Sequence, residues 1–368
     1  MKKLVMLESA RLDSTGPTPL HRQIRLAILD HIARLAPGDR LPTEMELCEL
    51  FQVSRMTASR ALNDLAKDNW VTRVRGKGTF VSARPKAELT IKHKVIGILT
   101  PHIGRALDRE HSPTHFDIIS AVEEHFGRQG FNLNILTSRI APFLPEMVAT
   151  IPVAGYVAVC TKEQDMPFLV AVRAAGRPLV TANSFLARND IIDQVHNDAH
   201  AAGYLATRHL IENGYERIAF VGHQPSQGGA WLHYKGYETA ILAAGRRPAF
   251  FGVNMSGAEK PESDIAAQAL QAHDGIVAGS DNIGALVIKV AAELGRRIPQ
   301  DAGVTGFSDC PLCTQVNPPL TSIRLSLPRE LGIQAAKRLD ELMRSPGAPP
   351  ATILMPVKLV VRESSRGR

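Results

Sequence analysis

The sequence predicts an α/β protein in two parts: a small basic α+β head of short helices closed by a β-hairpin, and a large two-lobed body built on parallel sheets. Three observations carry this. The chain has 368 residues, more than one ordinary core holds. Its charge is unevenly placed, since residues 1–86 hold 15 Lys+Arg against 9 Asp+Glu, a net of +6 out of +7 for the whole chain. From Lys94 onward, short apolar runs alternate with helical ones, as parallel strands covered by helices on both faces require.

The head comes first. In "PLHRQIRLAILDHIARLAPGDRLP", Leu20, Ile24, Ala27, Ile28, Ile32 and Leu35 recur at helical spacing, and Pro37-Gly38 stops the helix. "PTEMELCELF" starts a second helix with Thr43 as N-cap and Glu46 three residues on, a capping box, and ends it near Phe51-Gln52. After a tight turn Ser54 caps a third helix, with Ala58, Ala61, Leu62, Leu65 and Ala66 on one narrow stripe. Two helices joined by a tight turn form a helix-turn-helix. "WVTRVRGKGTFV" then reads as two short strands around a glycine-hinged tip, a wing.

The residue types fit an anionic partner. The start of the third helix would meet base edges, and its positive dipole end would meet phosphate. That places Thr43, Glu44, Ser54, Arg55, Thr57 and Ser59 at a DNA groove, Arg60 on phosphate, and Arg75, Gly76 and Lys77 at the wing tip. "GKG" lacks the Lys-Ser/Thr pair of a phosphate loop. A basic head on a neutral body is the charge pattern of a nucleic-acid-binding module.

"PLHRQIRLAILDHI" and "LAPGDRLPTEMELCELFQVSRMTASRALNDLAKDNWVTRVRGKGTFV" resemble the winged helix-turn-helix of the GntR family of bacterial transcription regulators. The resemblance implies a DNA-binding dimer on a short palindromic operator, with the recognition-helix arginine at Arg55, its threonine at Thr57 and the wing glycine at Gly76. Many members have arginine where this chain has Met45, so operator preference is not inherited from them.

Residues 83–93, "ARPKAELTIKH", are polar and aperiodic and read as a linker between a head at 1–82 and a body at 94–368. Polar residues gather where the body's predicted strands end: His102, Asn183, His223, Ser280-Asp281 and Ser308-Asp309. Ligands of open α/β sheets sit beyond those ends, but turns place the same residue types there. "VHNDAHAAGYLATRHLIENGYERIAFVG", "GIVAGSDNIGALVIKVAAELGRRIPQDAGVTGFSD" and "PPLTSIRLSLPRELGIQAAKRLDEL" resemble the effector domain of the LacI/GalR family, a relative of periplasmic sugar-binding proteins. The resemblance implies a periplasmic-binding-protein-like type I fold, a small-molecule effector between its lobes (sugar, sugar acid, polyol or nucleoside), and effector contacts at Asn183, His233, Asp281, Ser308 and Asp309. His233 stands where that family generally has arginine, and Ser308 where it often has aspartate.

"REHSPTHFD" sets His111 and His115 four apart, but Pro113 between them puts the two rings off a common helical face. His115 is kept as an effector candidate in a loop, and "GHQPSQGGAW" as a loop rather than a nucleotide cradle. Trp231 could stack on a sugar, although a buried aromatic is the default. Cys48, Cys160, Cys310 and Cys313 form no disulfide framework, and "CPLC" lacks the second pair of ligands of structural zinc, so it reads as two thiols in a loop.

No catalytic residue, metal or cofactor is expected. A sugar- or nucleotide-processing enzyme with an attached DNA-binding regulatory head is the alternative, but no nucleophile elbow, paired carboxylates or Schiff-base lysine is visible. No run of about 18 apolar residues exists, and "MKKLVMLESARLDS" has only Leu4 to Leu7 before Glu8, short of a signal sequence. The expectation is a cytoplasmic, homodimeric transcriptional regulator, most readily a repressor, on double-stranded operator DNA with no membrane partner.

Overall fold

The computed structural model of the chain describes residues 12, 19–32, 35–67, 70–82, 94–101, 113–137, 143–149, 151–161, 163–184, 186, 191–223, 228–253, 261–345 and 348–367. The stretch 83–93 read as a linker lies outside them, as do His102, His111 and residues 224–227 of "GHQPSQGGAW".

The head runs α1 (Leu20–Ile32), α2 (Glu44–Phe51), α3 (Arg55–Lys67), β1 (Val71–Val74) and β2 (Gly78–Val81). Helix α1 buries Ile24, Ile28, Leu29 and Ile32. It packs on α3, whose buried Ala58, Ala61, Leu62 and Leu65 form the expected stripe. The Thr43 hydroxyl accepts from the Glu46 amide at 3.2 Å while the Glu46 carboxylate accepts from the Thr43 amide at 2.7 Å. Two of the orphan donors at that helix end are thereby satisfied. Gln52 at φ 50° turns the chain sharply, and the Ser54 hydroxyl accepts from the Thr57 amide at 3.2 Å to start α3. Strands β1 and β2 pair antiparallel from Val71↔Val81 to Val74↔Gly78, leaving Arg75, Gly76 and Lys77 as the tip. Gly76 lies at φ 73°, a conformation that a side chain would strain.

The body continues through β3 (Val95–Thr100), α4 (Pro113–Gly127), β4 (Asn132–Thr137), β5 (Gly155–Val159), α5 (Met166–Ala174), β6 (Leu179–Ala182) and β7 (Asp193–Asn197). Next come α6 (Ala199–Glu212), β8 (Ile218–His223), α7 (Gly228–Ala243), β9 (Phe250–Val253), α8 (Glu262–Ala272), β10 (Gly275–Ala278), α9 (Asp281–Glu293) and β11 (Gly303–Ser308). The chain closes with α10 (Leu312–Gln315), β12 (Thr321–Arg324), α11 (Pro328–Arg344), β13 (Thr352–Met355) and β14 (Lys358–Val360).

Contacts divide the chain into two units. One holds Met1–Ser184, Arg188–Val195 and Pro328–Thr352; the other holds Phe185–Ala187, His196–Leu327 and Ile353–Arg368. The first unit's sheet has the order β13-β7-β6-β5-β3-β4, with β3 to β7 paired in parallel. Helix α11 returns to this unit and packs on α4, so closely that a Cβ at Gly332 would lie 2.5 Å from the Ile118 carbonyl. Strand β7, "DQVHN", has a single apolar residue, Val195, yet is buried throughout. The fully buried Asp193 is met by Arg338 of α11 at 2.7 Å and by the Ala351 amide at 3.0 Å. Pairing and hydrogen bonds, not hydrophobicity, let that strand enter the core.

The second unit's sheet has the order β14-β12-β11-β10-β8-β9, parallel except for β14 on β12. Helices α6 and α7 cross at two glycines. A Cβ at Gly203 would lie 1.9 Å from the His233 carbonyl, and one at Gly236 would lie 1.9 Å from the His200 carbonyl. Only glycine permits that approach of two backbones.

Candidate nucleic-acid interface and effector site

The head's exposed face is built around Glu44. Thr43 is consumed as the cap of α2, which sets Glu44 at the helix start facing α3 and the wing. The Glu44 carboxylate accepts from Arg55 Nε at 3.2 Å, from Arg73 Nη2 at 2.5 Å and from the Ser59 hydroxyl. Partial burial alone would raise its pKa, but the bonds from Arg73, Ser59 and Arg55 outweigh this and hold the carboxyl below its ordinary value. Arg73 also donates to Asn63 of α3. Recognition helix and wing are therefore tied through one carboxylate.

Two hollows flank this hub. One, of about 670 Å³, is lined by Arg40, Arg55, Arg73, Arg75 and Lys77 with Met45 at its edge. The other, of about 710 Å³, is lined by Arg55, Arg60, Asn63 and Lys67 with Met56. The Arg55 side chain is 85 % exposed, so its one ion pair leaves most of its donors facing solvent. Of the residues expected at DNA, Arg55, Arg60, Arg75, Gly76 and Lys77 come together on this face. Thr57 and Ser54 share a hydroxyl pair at 2.8 Å within the cap, and Ser59 is engaged by Glu44. Arg40, Arg73 and Lys67 were not foreseen.

In the second unit, Asp281, Ser308 and Asp309 meet at the carboxyl ends of β10 and β11, whereas His233 of α7 packs on the other face of the sheet and does not join them. Asp281 opens α9, is 1 % exposed, and accepts from Ser308 Oγ at 2.8 Å, Ser322 Oγ at 2.5 Å and the Cys310 amide at 2.8 Å. Asp309 is taken up by two arginines, Arg324 at 2.7 Å and Arg362 at 2.6 Å. Ser308 and Asp309 adopt φ 113° and 55°, which turns the chain out of β11. His233 is 1 % exposed, its ring stacked on Phe307 at 4.4 Å and edge-on to Phe220 at 5.2 Å. That apolar burial pushes the imidazole pKa down to about 3, so it is neutral. Ser322 and Arg324 of β12 join this cluster without having been singled out.

In the first unit, Asn183 ends β6 at φ 53° and donates from Nδ2 to Cys160 Sγ at 3.4 Å. His115 lies in the first turn of α4, not in a loop, because Pro113 starts the helix rather than merely preceding it. Trp231 departs from the buried default: it is 40 % exposed on α7, with Lys235 Nζ 5.7 Å from its ring centre.

The GntR family of bacterial regulatory proteins matches residues 20–81, and the periplasmic binding protein-like domain matches residues 207–365. The arabinose metabolism transcriptional repressor of Geobacillus stearothermophilus is 27 % identical over 95 % of this chain and 98 % of its own length. The transcriptional repressor PurR of Haemophilus influenzae is 30 % identical over 66 % of this chain and 74 % of its own. This chain is a LacI/GalR-type transcriptional regulator with a GntR-family head. The fold agrees with that of a CelR–cellobiose complex, at a TM-score of 0.63, 22 % identity and coverage of 85 % of this chain and 92 % of that one. It agrees also with a ribose-bound LacI-family regulator from Enterococcus faecium, at a TM-score of 0.57, 22 % identity and coverage of 74 % and 99 %. The Geobacillus and Haemophilus relatives are both transcriptional repressors. No described helix of the regulator is long and apolar enough to cross a membrane.

Proposed function

We propose that the regulator acts as a cytoplasmic homodimer whose two heads bind a palindromic operator, and that an uncharged sugar or polyol at the strand ends of the body sets the operator affinity. The observation that carries the DNA reading is the ring of Arg40, Arg55, Arg60, Lys67, Arg73, Arg75 and Lys77 around the start of α3 and the wing. Arg55 has the exposure and position to reach a base edge, while Arg60, Lys67, Arg75 and Lys77 suit phosphates.

The effector class rests on charge. His233 stands where that family generally has a cation and is neutral, while Arg324 and Arg362 are both ion-paired with Asp309 and, with Asp281 beside them, leave a formal charge of zero. A site without net charge favours hydroxyl-rich neutral ligands over sugar acids or phosphates. The cellobiose and ribose of the similar regulators belong to that neutral class. A ligand acts by its differential affinity for the DNA-competent and DNA-incompetent states. No catalytic step is assigned to any residue.

The test is fluorescence anisotropy of the full chain on a duplex selected from a random pool. A dimer with roughly 6 to 10 phosphate contacts loses about 10³ to 10⁵ in affinity between about 50 and 200 mM salt. A flat salt response would refute the groove-binding reading. Addition of neutral sugars and polyols should then weaken binding, whereas a response only to sugar acids or phosphorylated compounds would overturn the effector class.

A further inference from the structure

Cys310 and Cys313 looked like two thiols in a loop because their spacing supplies only one pair of ligands. The fold adds a third donor that spacing cannot show. Asp281, at the start of α9, comes to the same point, and one carboxylate oxygen and the two Sγ atoms lie within 4.8 Å of one another. Cys313 and Asp281 are buried, and Cys310 is half-buried, leaving a way in from that side.

Three features distinguish this from an accidental grouping. The "CPLC" turn is fixed, since the Cys313 amide donates to the Cys310 carbonyl at 3.0 Å and the Leu320 amide to the Cys313 carbonyl at 2.8 Å. Asp281 is fixed as well, accepting from Ser308 Oγ at 2.8 Å, Ser322 Oγ at 2.5 Å and the Cys310 amide at 2.8 Å. Asp281 is a buried carboxylate with no cationic partner among the described residues: its donors are hydroxyls, an amide and the two thiols, and the nearby Arg324 and Arg362 are held by Asp309. Only the amino end of α9 offsets its charge, and a buried carboxylate is expensive without a counter-charge.

We propose that Cys310, Cys313 and Asp281 form a binding site for a borderline-soft divalent cation of the zinc class. Two sulfurs and one oxygen exclude magnesium and calcium, which take oxygen ligands, and suit a tetrahedral ion with one position left for water or another oxygen ligand. Binding replaces both S–H protons by bonds to the metal and releases two protons to water, with no change of oxidation state. The Ser308 and Ser322 hydroxyls and the Cys310 amide, which already bond Asp281, would orient it behind the metal. The inference does not depend on what effector the regulator binds or on whether that effector touches Asp281.

The full chain, stripped of metal and kept in a non-thiol reductant, is titrated with Co²⁺ and read by absorbance. The expected result is one equivalent per chain with a thiolate-to-cobalt charge-transfer band and the intense visible bands of a tetrahedral site, both displaced by Zn²⁺. Cys310→Ser, at a half-buried position, should lose the charge-transfer intensity while its far-UV circular dichroism is retained, and Asp281→Asn should weaken Co²⁺ binding at least tenfold. Zn²⁺ should also slow alkylation of Cys310 in the unmutated chain, a readout that needs no variant to fold. Absence of a thiolate band in the reduced protein, or a band that survives in Cys310→Ser, overturns the site. Reduced protein that binds no Co²⁺ and, once the reductant is removed, passes both thiol hydrogens and two electrons to dissolved oxygen to form a Cys310–Cys313 bond would replace the site by a disulfide.

Discussion

Glu44 is an acidic residue in the middle of the head's basic surface, and Glu44→Gln tests what it is for. The glutamine keeps the shape and one carbonyl acceptor but removes the charge that engages Arg55, Arg73 and Ser59. If the carboxylate only diluted positive charge, its removal would strengthen binding to every duplex. The geometry argues otherwise, because it joins the recognition helix to the wing and fixes the direction of Arg55. A charge-assisted hydrogen bond is worth about 1.5–3 kcal/mol. The 85 % exposure of the Arg55 side chain calls for a solvent discount to roughly 0.5–1 kcal/mol per head. In the proposed dimer, two heads on one operator then lose about 1–2 kcal/mol, roughly 5- to 30-fold in affinity. On a scrambled duplex of equal length the sign reverses, since each head carries one more uncompensated positive charge, and the log–log salt slope should steepen by up to about 2 for the dimer. Anisotropy titrations on both duplexes at several salt concentrations read the two effects separately. Parallel strengthening on both duplexes would refute a positioning role for Glu44, and parallel weakening would point to a misfolded head.

Three further outcomes follow from the same geometry. Arg55→Ala should abolish operator discrimination while leaving the effector-induced rise in melting temperature unchanged; loss of both would contradict the assignment of DNA contact to the head and effector contact to the body. Gly236→Ala drives a methyl into the His200 carbonyl at the α6–α7 crossing, a cost near the top of the ~1–3 kcal/mol range for overpacking. Calorimetry should show the midpoint lowered by roughly 6–12 °C, and an unshifted midpoint would mean the helices do not cross so closely. His233 has a folded pKa of about 3, below its ordinary value, so the unfolded chain takes up the proton first and stability falls as pH drops below about 6.5. The loss is about 1.4 kcal/mol per pH unit and stops near the folded pKa, reaching roughly 2.7 kcal/mol by about pH 4.5. His233→Leu should remove that part of the acid slope in urea titrations, and an identical slope would show that the ring is not dry.

What the sequence revealed and what it hid divide along one line, the distance between a residue and the partner that explains it. Thr43 and Glu46 are three residues apart, as are Ser54 and Thr57, so the head's helix starts were legible from local chemistry. Strand β7 was not, because Asp193 enters the core only when Arg338, 145 residues later, comes to meet it, and no window of sequence holds both. The same distance governs the site. Asp309 read as an effector contact from its place at a strand end, with no sign that Arg324 and Arg362 engage it, and "CPLC" read as an incomplete ligand set until Asp281, 29 residues before Cys310, supplied the missing donor. Residue type and position at a strand end can nominate a polar group for ligand binding. Whether it is free to bind depends on side chains from other strands, and β12 and the chain's last residues, which decide this for Asp281 and Asp309, carry no motif of their own that marks them for the task.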